Sequence, residues 1–374
     1  MSTVSTRELV DGSAAIVRGA LSSGCDFFAG YPITPASPIL MSMLRELPKL
    51  GGTAIQAEDE IASIGICIGA VMAGARALTA TSGPGISLCS ENIGLAIMGE
   101  VPLVIVDVQR LGPSTGAATA VGQGDVQFVR WGTGGGYPII ALAPSTVAEC
   151  YSLTRKAFDL SERFRCPVFL MTDKELNLTT ATVDADAFEE VPVRARVTTR
   201  ADGAPPYSFD PPTAVPPLAQ YGRGPLVRFT GSTHDEGAFI TKDPATTARL
   251  NEHLRAKIED CREEIELVTF DQQAGASTLF LSYGVTAGAM REAVAILRAR
   301  GGKISALTVQ SLWPVPETAI RRALIGVRRV VVAELNLGQY RREIERMVDG
   351  IEVTGLNRVD GRLLTPSQFE ESVR

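Results

Sequence analysis

Short apolar, β-rich runs alternate with small-residue stretches of helical periodicity through the first 180 positions of the chain. The runs at 25–29, 53–56, 77–81, 102–108, 138–143 and 167–172 have the length and apolarity of strands buried on both faces. Their alternation with helices predicts a parallel sheet covered on either side. Glu60 to Ala75 carries Ile61, Ile64, Ile68 and Val71 at helical spacing with Ala and Gly between them, so a closely packed helix is expected there. The alternation returns after Ala276: Leu279-Phe280-Leu281-Ser282, a helix near 286–300, Ile304-Ser305-Ala306-Leu307, a helix near 316–325, and Val330-Val331-Val332-Ala333-Glu334. The pattern is that of two α/β units, 1–180 and a smaller 276–374.

Between them, 181–275 has a different texture. Gly203-Ala204-Pro205-Pro206, Asp210-Pro211-Pro212 and Val215-Pro216-Pro217 favour extended chain running over a surface, and the length fits a strap better than a loose linker. The charged stretch 244–267 follows, with Leu250, Leu254, Ile258 and Ile265 near helical spacing, and predicts an amphipathic helix.

Composition removes several function classes. With 36 basic and 42 acidic residues evenly mixed and a net charge of -6, no basic stripe is available for nucleic acid or an anionic membrane. Cys25, Cys67, Cys89, Cys150, Cys166 and Cys261 form no C-x-x-C pair, and only two histidines accompany them. No metal-ligand set is expected in this chain, and most of the thiols read as buried groups of a reducing compartment. Met1 to Asp11 lacks the charged-then-apolar layout of a secretion signal, and no run reaches the roughly 18 apolar residues of a membrane helix. A soluble cytoplasmic protein is expected.

Candidate chemistry sits at the carboxyl ends of the expected strands, where open α/β sheets bind ligands. After 25–29 comes Gly30-Tyr31-Pro32-Ile33-Thr34-Pro35, whose prolines hold Ile33 and Thr34 in an extended loop. After 53–56 comes Ala57-Glu58-Asp59-Glu60, readable as a helix cap or as a reactive carboxylate. Thr81-Ser82-Gly83-Pro84-Gly85 offers hydroxyls and glycines that permit close backbone approach, without the pattern of a Walker A loop or a dinucleotide fingerprint. Gln109-Arg110-Leu111-Gly112-Pro113-Ser114-Thr115-Gly116 places an arginine where it can grip a carboxylate through two parallel hydrogen bonds or cap a helix. Thr119, Gln123 and Asp125 continue that polar loop, which Trp131 and Gly132 to Gly136 end. Four loops thus converge on one rim.

In this order, these segments together with Glu334-Leu335-Asn336-Leu337-Gly338-Gln339 resemble the α subunit of the 2-oxoacid:ferredoxin oxidoreductases, above all the 2-oxoglutarate type. Each motif alone is weak, but their order makes the resemblance specific, and Phe229 to Gly237 with His234 is similar as well. The resemblance implies a doubly wound parallel sheet of the thiamine diphosphate pyrimidine-binding type, followed by a smaller transketolase C-terminal-like α/β domain. It implies that Glu58 contacts N1′ of the aminopyrimidine, that Ser82 and Gly83 lie against the cofactor, and that Thr34 bonds the substrate near its reacting carbon. Arg110 then binds the 2-oxoacid carboxylate, and Thr119 lines the substrate pocket. The implied reaction is coenzyme A-dependent oxidative decarboxylation of a 2-oxoacid with ferredoxin as acceptor.

The chain departs from the 2-oxoglutarate type at Ala117-Ala118-Thr119-Ala120, where many members have Leu-Pro-Thr followed by a lysine or arginine, and at Leu111, which replaces a glycine. Gly132 to Tyr137 is similar to branched-chain relatives. Branched-chain or pyruvate specificity therefore remains an alternative, as does a non-catalytic scaffold subunit. The chain has no cysteine-rich ferredoxin segment and no Gly-Asp-Gly motif followed by Asn for diphosphate and magnesium. A β subunit is expected to supply the diphosphate site, Mg and a 4Fe–4S cluster. A γ subunit is also expected, because the chain begins almost directly at the first unit.

Overall fold

The computed structural model describes residues 7–198, 205–223 and 226–374; Met1 to Thr6 of the polar start and Gly203-Ala204 of the proline-rich run lie outside the described residues. The larger sheet has seven strands in the spatial order Ser311–Trp313, Ile140–Leu142, Pro167–Asp173, Leu103–Gln109, Ala77–Thr81, Phe27–Gly30, Thr53–Gln56. All neighbours are parallel except Ser311–Trp313 on Ile140–Leu142. The expected strands are present, with ends moved by at most two residues. The exception is Ser311–Trp313, a short strand from far along the chain that no periodicity announces.

Every residue of the central strands Leu103–Gln109 and Pro167–Asp173 is buried. Alternation then divides the sheet's two faces. Leu103 and Ile105 pack with Ile64, Ile68 and Ile93 of the helices Glu60–Met72 and Ser90–Met98. Val104, Val106 and Val108 pack with Ile16, Ile39 and Phe158 of the helices Gly12–Ser22, Ser37–Glu46 and Val147–Phe164. A sheet with both faces covered in this way is doubly wound, as expected.

A second sheet has the order Glu352–Asn357, Arg329–Glu334, Thr278–Ser282, Ile304–Val309, Val268–Asp271, parallel except for its last pair. Phe280 and Val331 face the helices Thr286–Ala299 and Pro366–Glu371. The opposite-facing Leu281, Leu307 and Val332 belong to the same apolar cluster as Ile105 and Met171, so one core runs through both sheets.

The described parts of the proline-rich stretch are irregular chain interrupted by turns, and they are held down. Tyr207, Phe209 and Leu218 are buried. The Arg165 guanidinium donates to the carbonyls of Pro206, Pro216 and Pro217 at 3.2, 3.0 and 3.1 Å. The expected helix over 244–267 spans Pro244–Glu259 only and is followed by the short turn Arg262–Glu264. Asp260 and Cys261 are weak helix formers, and the break lets the chain turn and deliver Ile265 into the core.

Candidate functional site

Parallel register aligns the carboxyl ends of neighbouring strands. Gly30 pairs with Gln56, Thr81 with Asp107, and Gln109 with Asp173. The first loop is pinned to the second by the Ala57 amide, which donates to the Gly30 carbonyl at 2.9 Å. Ile33 lies in irregular chain, but Thr34 opens a turn that leads directly into Ser37–Glu46 instead of sitting in an extended loop. The Asn177 side chain supports that turn by donating to the Pro35 carbonyl at 3.1 Å.

Arg110 is buried, 6% exposed, and its Nη1 donates to the Thr34 carbonyl at 2.6 Å. It is neither a surface residue nor a helix cap. Gly83, in the loop after Ala77–Thr81, packs against Arg110 at φ 44°, a backbone conformation that favours glycine. The loop beyond Arg110 folds back on itself: Leu111 N–H donates to the Ala120 carbonyl, and Ala117 N–H to the Leu111 carbonyl, both at 3.0 Å. Gly116, at φ 51°, makes that return possible, because a Cβ there would stand 1.7 Å from the Leu111 oxygen.

Arg110 and Gly83 meet in the wall of a cavity of about 580 Å³, together with Leu111, Asp125 and Phe128. Asn336 and Leu337 of the second unit close it. Thr34, Glu58, Ser82 and Thr119 are outside its lining. Thr34 is tied to it through Arg110, and Ser82 is buried beside Gly83. Thr119 is exposed on the return of the loop, and Glu58 is exposed at the end of the sheet's edge strand. The helix cap beside Glu58 is Asp59, whose shorter side chain accepts from the Ala62 amide at 2.7 Å. Glu58 is thus free of the capping duty that its position allowed. A larger groove of about 830 Å³ crosses the helix Ser90–Met98 and shares only Ser87 with this cavity.

Gln123, noted in the sequence only as part of a polar loop, joins the two units. Its Oε1 accepts from the Leu335 amide at 3.0 Å and from Thr286 Oγ1 at 3.1 Å, and its Nε2 donates to the Tyr283 carbonyl at 3.2 Å. Asn336 Nδ2 returns a bond to the Gln123 carbonyl at 2.7 Å, and Gln339 Nε2 donates to that of Gly124 at 2.7 Å. The Glu334-to-Gln339 motif therefore fixes one cavity wall against the other.

Several buried polar atoms here lack a protein partner: Thr81 Oγ1, Ser82 Oγ, Arg110 Nε, both carboxylate oxygens of Asp107 and Oδ2 of Asp125. Buried donors and acceptors are almost always satisfied, so such a concentration fits a place that a polar ligand or ordered water completes. Asp107 was not singled out by the sequence, since it sits inside an otherwise apolar strand; a lone carboxylate in such a run was the available signal. Burial, then the charge of Asp125, push the Asp107 carboxyl well above its ordinary range. Among the described residues no cluster of His, Cys, Asp and Glu is arranged to hold a metal, and no helix is long and apolar enough to cross a membrane.

Family models and known proteins match nearly the whole chain. A family model described as "Pyruvate flavodoxin/ferredoxin oxidoreductase, thiamine diP-bdg" matches residues 18–251, and one described as "Pyruvate:ferredoxin oxidoreductase core domain II" matches 276–369. The chain is 40% identical to 2-oxoglutarate synthase subunit KorA of Methanocaldococcus jannaschii, over 98% of this chain and 99% of the relative. It is 35% identical to ketoisovalerate oxidoreductase subunit VorB of Methanothermobacter thermautotrophicus, over 98% and 97%. Among solved structures, it is similar to 2-oxoglutarate:ferredoxin oxidoreductase from Magnetococcus marinus with 2-oxoglutarate, coenzyme A and succinyl-CoA bound (TM-score 0.91, 32% identity). The likeness covers 98% of this chain and 64% of that one. A split-gene transketolase matches at TM-score 0.55 and 13% identity, a likeness of fold alone. On these matches the chain belongs to the 2-oxoacid:ferredoxin oxidoreductase family, as an α-type subunit with a thiamine diphosphate-binding first domain.

Proposed function

We propose that this chain is the α subunit of an enzyme that converts a 2-oxoacid and coenzyme A to acyl-CoA and CO2 and passes the electron pair to ferredoxin, with 2-oxoglutarate as substrate and succinyl-CoA as product. The observation that carries this reading is Arg110: a buried guanidinium, held by the Thr34 carbonyl, in the wall of a cavity whose opposite side comes from the second unit. Among the described residues lining that cavity it is the only cation, and its Nε is unpartnered, so a substrate carboxylate has a place to bind.

Thiamine diphosphate, when bound, supplies a nucleophilic carbon and an electron sink for the decarboxylation. Glu58 would hold the proton at N1′ of its pyrimidine, and the buried Ser82 hydroxyl and Gly83 backbone would flank the ring. Thr34 would orient the substrate carbonyl, Arg110 its carboxylate, and Thr119 would border the entrance. Glu58 lies on an exposed edge of this chain, where a partner subunit can cover it and supply the desolvation that strengthens its hold on the proton. We assign the diphosphate site, Mg and a 4Fe–4S cluster to a β subunit, consistent with the absence of the corresponding motifs here, and include a γ subunit and cytoplasmic ferredoxin in the assembly.

A second reading has its own support. Leu111, Phe128, Leu335, Leu337 and Val359 make much of the cavity wall apolar, and Ala120 leaves no cation for a distal carboxylate, which suits a branched-chain 2-oxoacid. The test is to co-purify the chain with its partner subunits and measure coenzyme A-dependent reduction of a low-potential dye with 2-oxoglutarate, 2-oxoisovalerate and pyruvate. Preference for 2-oxoglutarate supports the first reading and preference for 2-oxoisovalerate the second. Inactivity with all three in an intact complex rejects both and leaves a scaffold subunit.

A further inference from the structure

A separate polar cavity, of about 210 Å³, lies at the C-terminal end of the helix Val147–Phe164. Arg163, Arg165, Arg194 and Arg196 line it, and Glu162 is the one carboxylate among the described lining residues. Three of the arginines have carboxylate partners: Arg163 pairs with Glu264, Arg194 with Asp159 and Arg196 with Glu162, each at 2.7 Å. Glu162 is shared further, since Arg76 Nε stands 3.4 Å from it. Arg165 differs from the other three. It is 4% exposed, and its Nε and Nη1 donate only to carbonyls, those of Glu100, Pro206, Pro216 and Pro217. The carboxylate whose charge reaches it, Glu100, is already engaged by Lys257 at 2.8 Å. Among the described residues, neither Arg165 Nη2 nor Arg194 Nη1 has a hydrogen-bond partner. A buried guanidinium with a donor to spare and no carboxylate of its own leaves positive charge for an anion to neutralise.

We propose that this cavity binds a phosphate group, free or as the monoester of a small metabolite, through Arg165 and Arg194. Phosphate carries close to two negative charges at neutral pH and presents several acceptor oxygens to the guanidinium forks, where a carboxylate brings half the charge. The volume equals that of about seven waters at about 30 Å³ each, which admits a phosphate group and its hydration but not a whole nucleotide. The remaining wall is proline-rich strap: Val197 on one pass, and Val215, Pro216 and Leu218 on the next. The two passes already meet where the Leu218 amide donates to the Val197 carbonyl at 2.9 Å. A phosphate held between Arg165 and Arg194 ties both passes to the end of the helix. The strand Pro167–Asp173 starts beside Arg165, and its far end pairs with Gln109 next to Arg110. The length of that strand, roughly 20 Å, separates this cavity from Arg110, so the phosphate acts as an effector of the strap and not as part of the substrate site. The proposal does not depend on the reading of Arg110.

The experiment is calorimetric titration of the full chain, in its assembled complex, with inorganic phosphate and with glycerol 3-phosphate at constant ionic strength. Saturable binding at one site per chain is expected, with Kd below about 1 mM for at least one of the two. Tighter binding of inorganic phosphate identifies the free ion as ligand, and tighter binding of glycerol 3-phosphate identifies a monoester; either result supports the site. Arg194→Gln should weaken binding about tenfold or more. Arg165→Gln removes four carbonyl contacts and risks the fold, so Arg163→Gln, which alters the same wall, is the second variant and should also weaken binding. Hydrogen exchange at the Leu218 amide should slow several-fold in saturating phosphate in the wild type and not in Arg194→Gln. Binding that does not saturate by 10 mM, or equal affinity in the wild type and both variants, overturns the proposal. Unchanged exchange at Leu218 on saturation overturns the effect on the strap.

Discussion

Arg110 donates to the backbone carbonyl of Thr34 across 2.6 Å, joining two strand-end loops that are 76 residues apart in sequence. One nitrogen of the guanidinium is therefore committed to the protein, which fixes the direction in which the rest of the fork faces. Arg110→Lys keeps the charge but cannot hold that carbonyl and a carboxylate in the same planar arrangement. We expect kcat/KM for the 2-oxoacid to fall about 10–100-fold, a loss of about 1.4–2.8 kcal/mol in transition-state binding, with thermal stability little changed. Steady-state kinetics and a melting curve on the assembled complex separate the two effects.

Glu58 makes no cap and is exposed at the sheet edge, so Glu58→Gln should leave the folding of this chain intact. In the complex the same change should cost turnover about 100-fold or more, the scale of a lost proton-handling group. Full turnover in Glu58→Gln would make the chain a scaffold.

The isolated chain should bind thiamine diphosphate weakly or not at all by titration calorimetry, and adding the β subunit should restore tight binding. Tight binding by this chain alone would refute the division of the cofactor site between subunits.

Gln123→Ala should destabilise the chain by about 1–3 kcal/mol in urea unfolding, because it leaves the buried Leu335 amide and Thr286 hydroxyl without their acceptor. If the two units unfold independently, the transition should also broaden or split.

Opposite the site, Glu100 is fully buried and accepts from Lys257 Nζ at 2.8 Å, while its contact with His253 Nε2 spans 2.9 Å. Burial alone would raise its carboxyl, but the charge of Lys257, the hydrogen bond from His253 and the charge of Arg165 outweigh it and hold the carboxyl well below 4.5. A depressed carboxylate stabilises the fold fully above its unfolded value, and that contribution fades as pH falls through the folded value. Stability should therefore decline below about pH 4.5. Glu100→Gln should cost about 3–5 kcal/mol at pH 7 by stranding the Lys257 charge, and should flatten the acid limb. Denaturant titrations from pH 3 to 7 test both.

The alternation of apolar runs and helical periods determined the two α/β units and the strands of the main sheet, because strands buried on both faces must be apolar almost throughout. It also placed Thr34, Glu58, Ser82, Arg110 and Thr119 at strand carboxyl ends, since loop position follows from element order. It did not reveal the short strand Ser311–Trp313, whose pairing depends on a neighbour some 170 positions earlier in the chain. Nor could it choose between Glu58 and Asp59 as helix cap, a matter of side-chain reach settled by local backbone geometry. Only tertiary structure buried Arg110 while leaving Glu58 and Thr119 on the rim. It alone brought Gln123 onto Leu335 and left the Asp107 carboxylate buried in an apolar sheet, because burial and contact are properties of packing between distant segments, not of any one segment's composition.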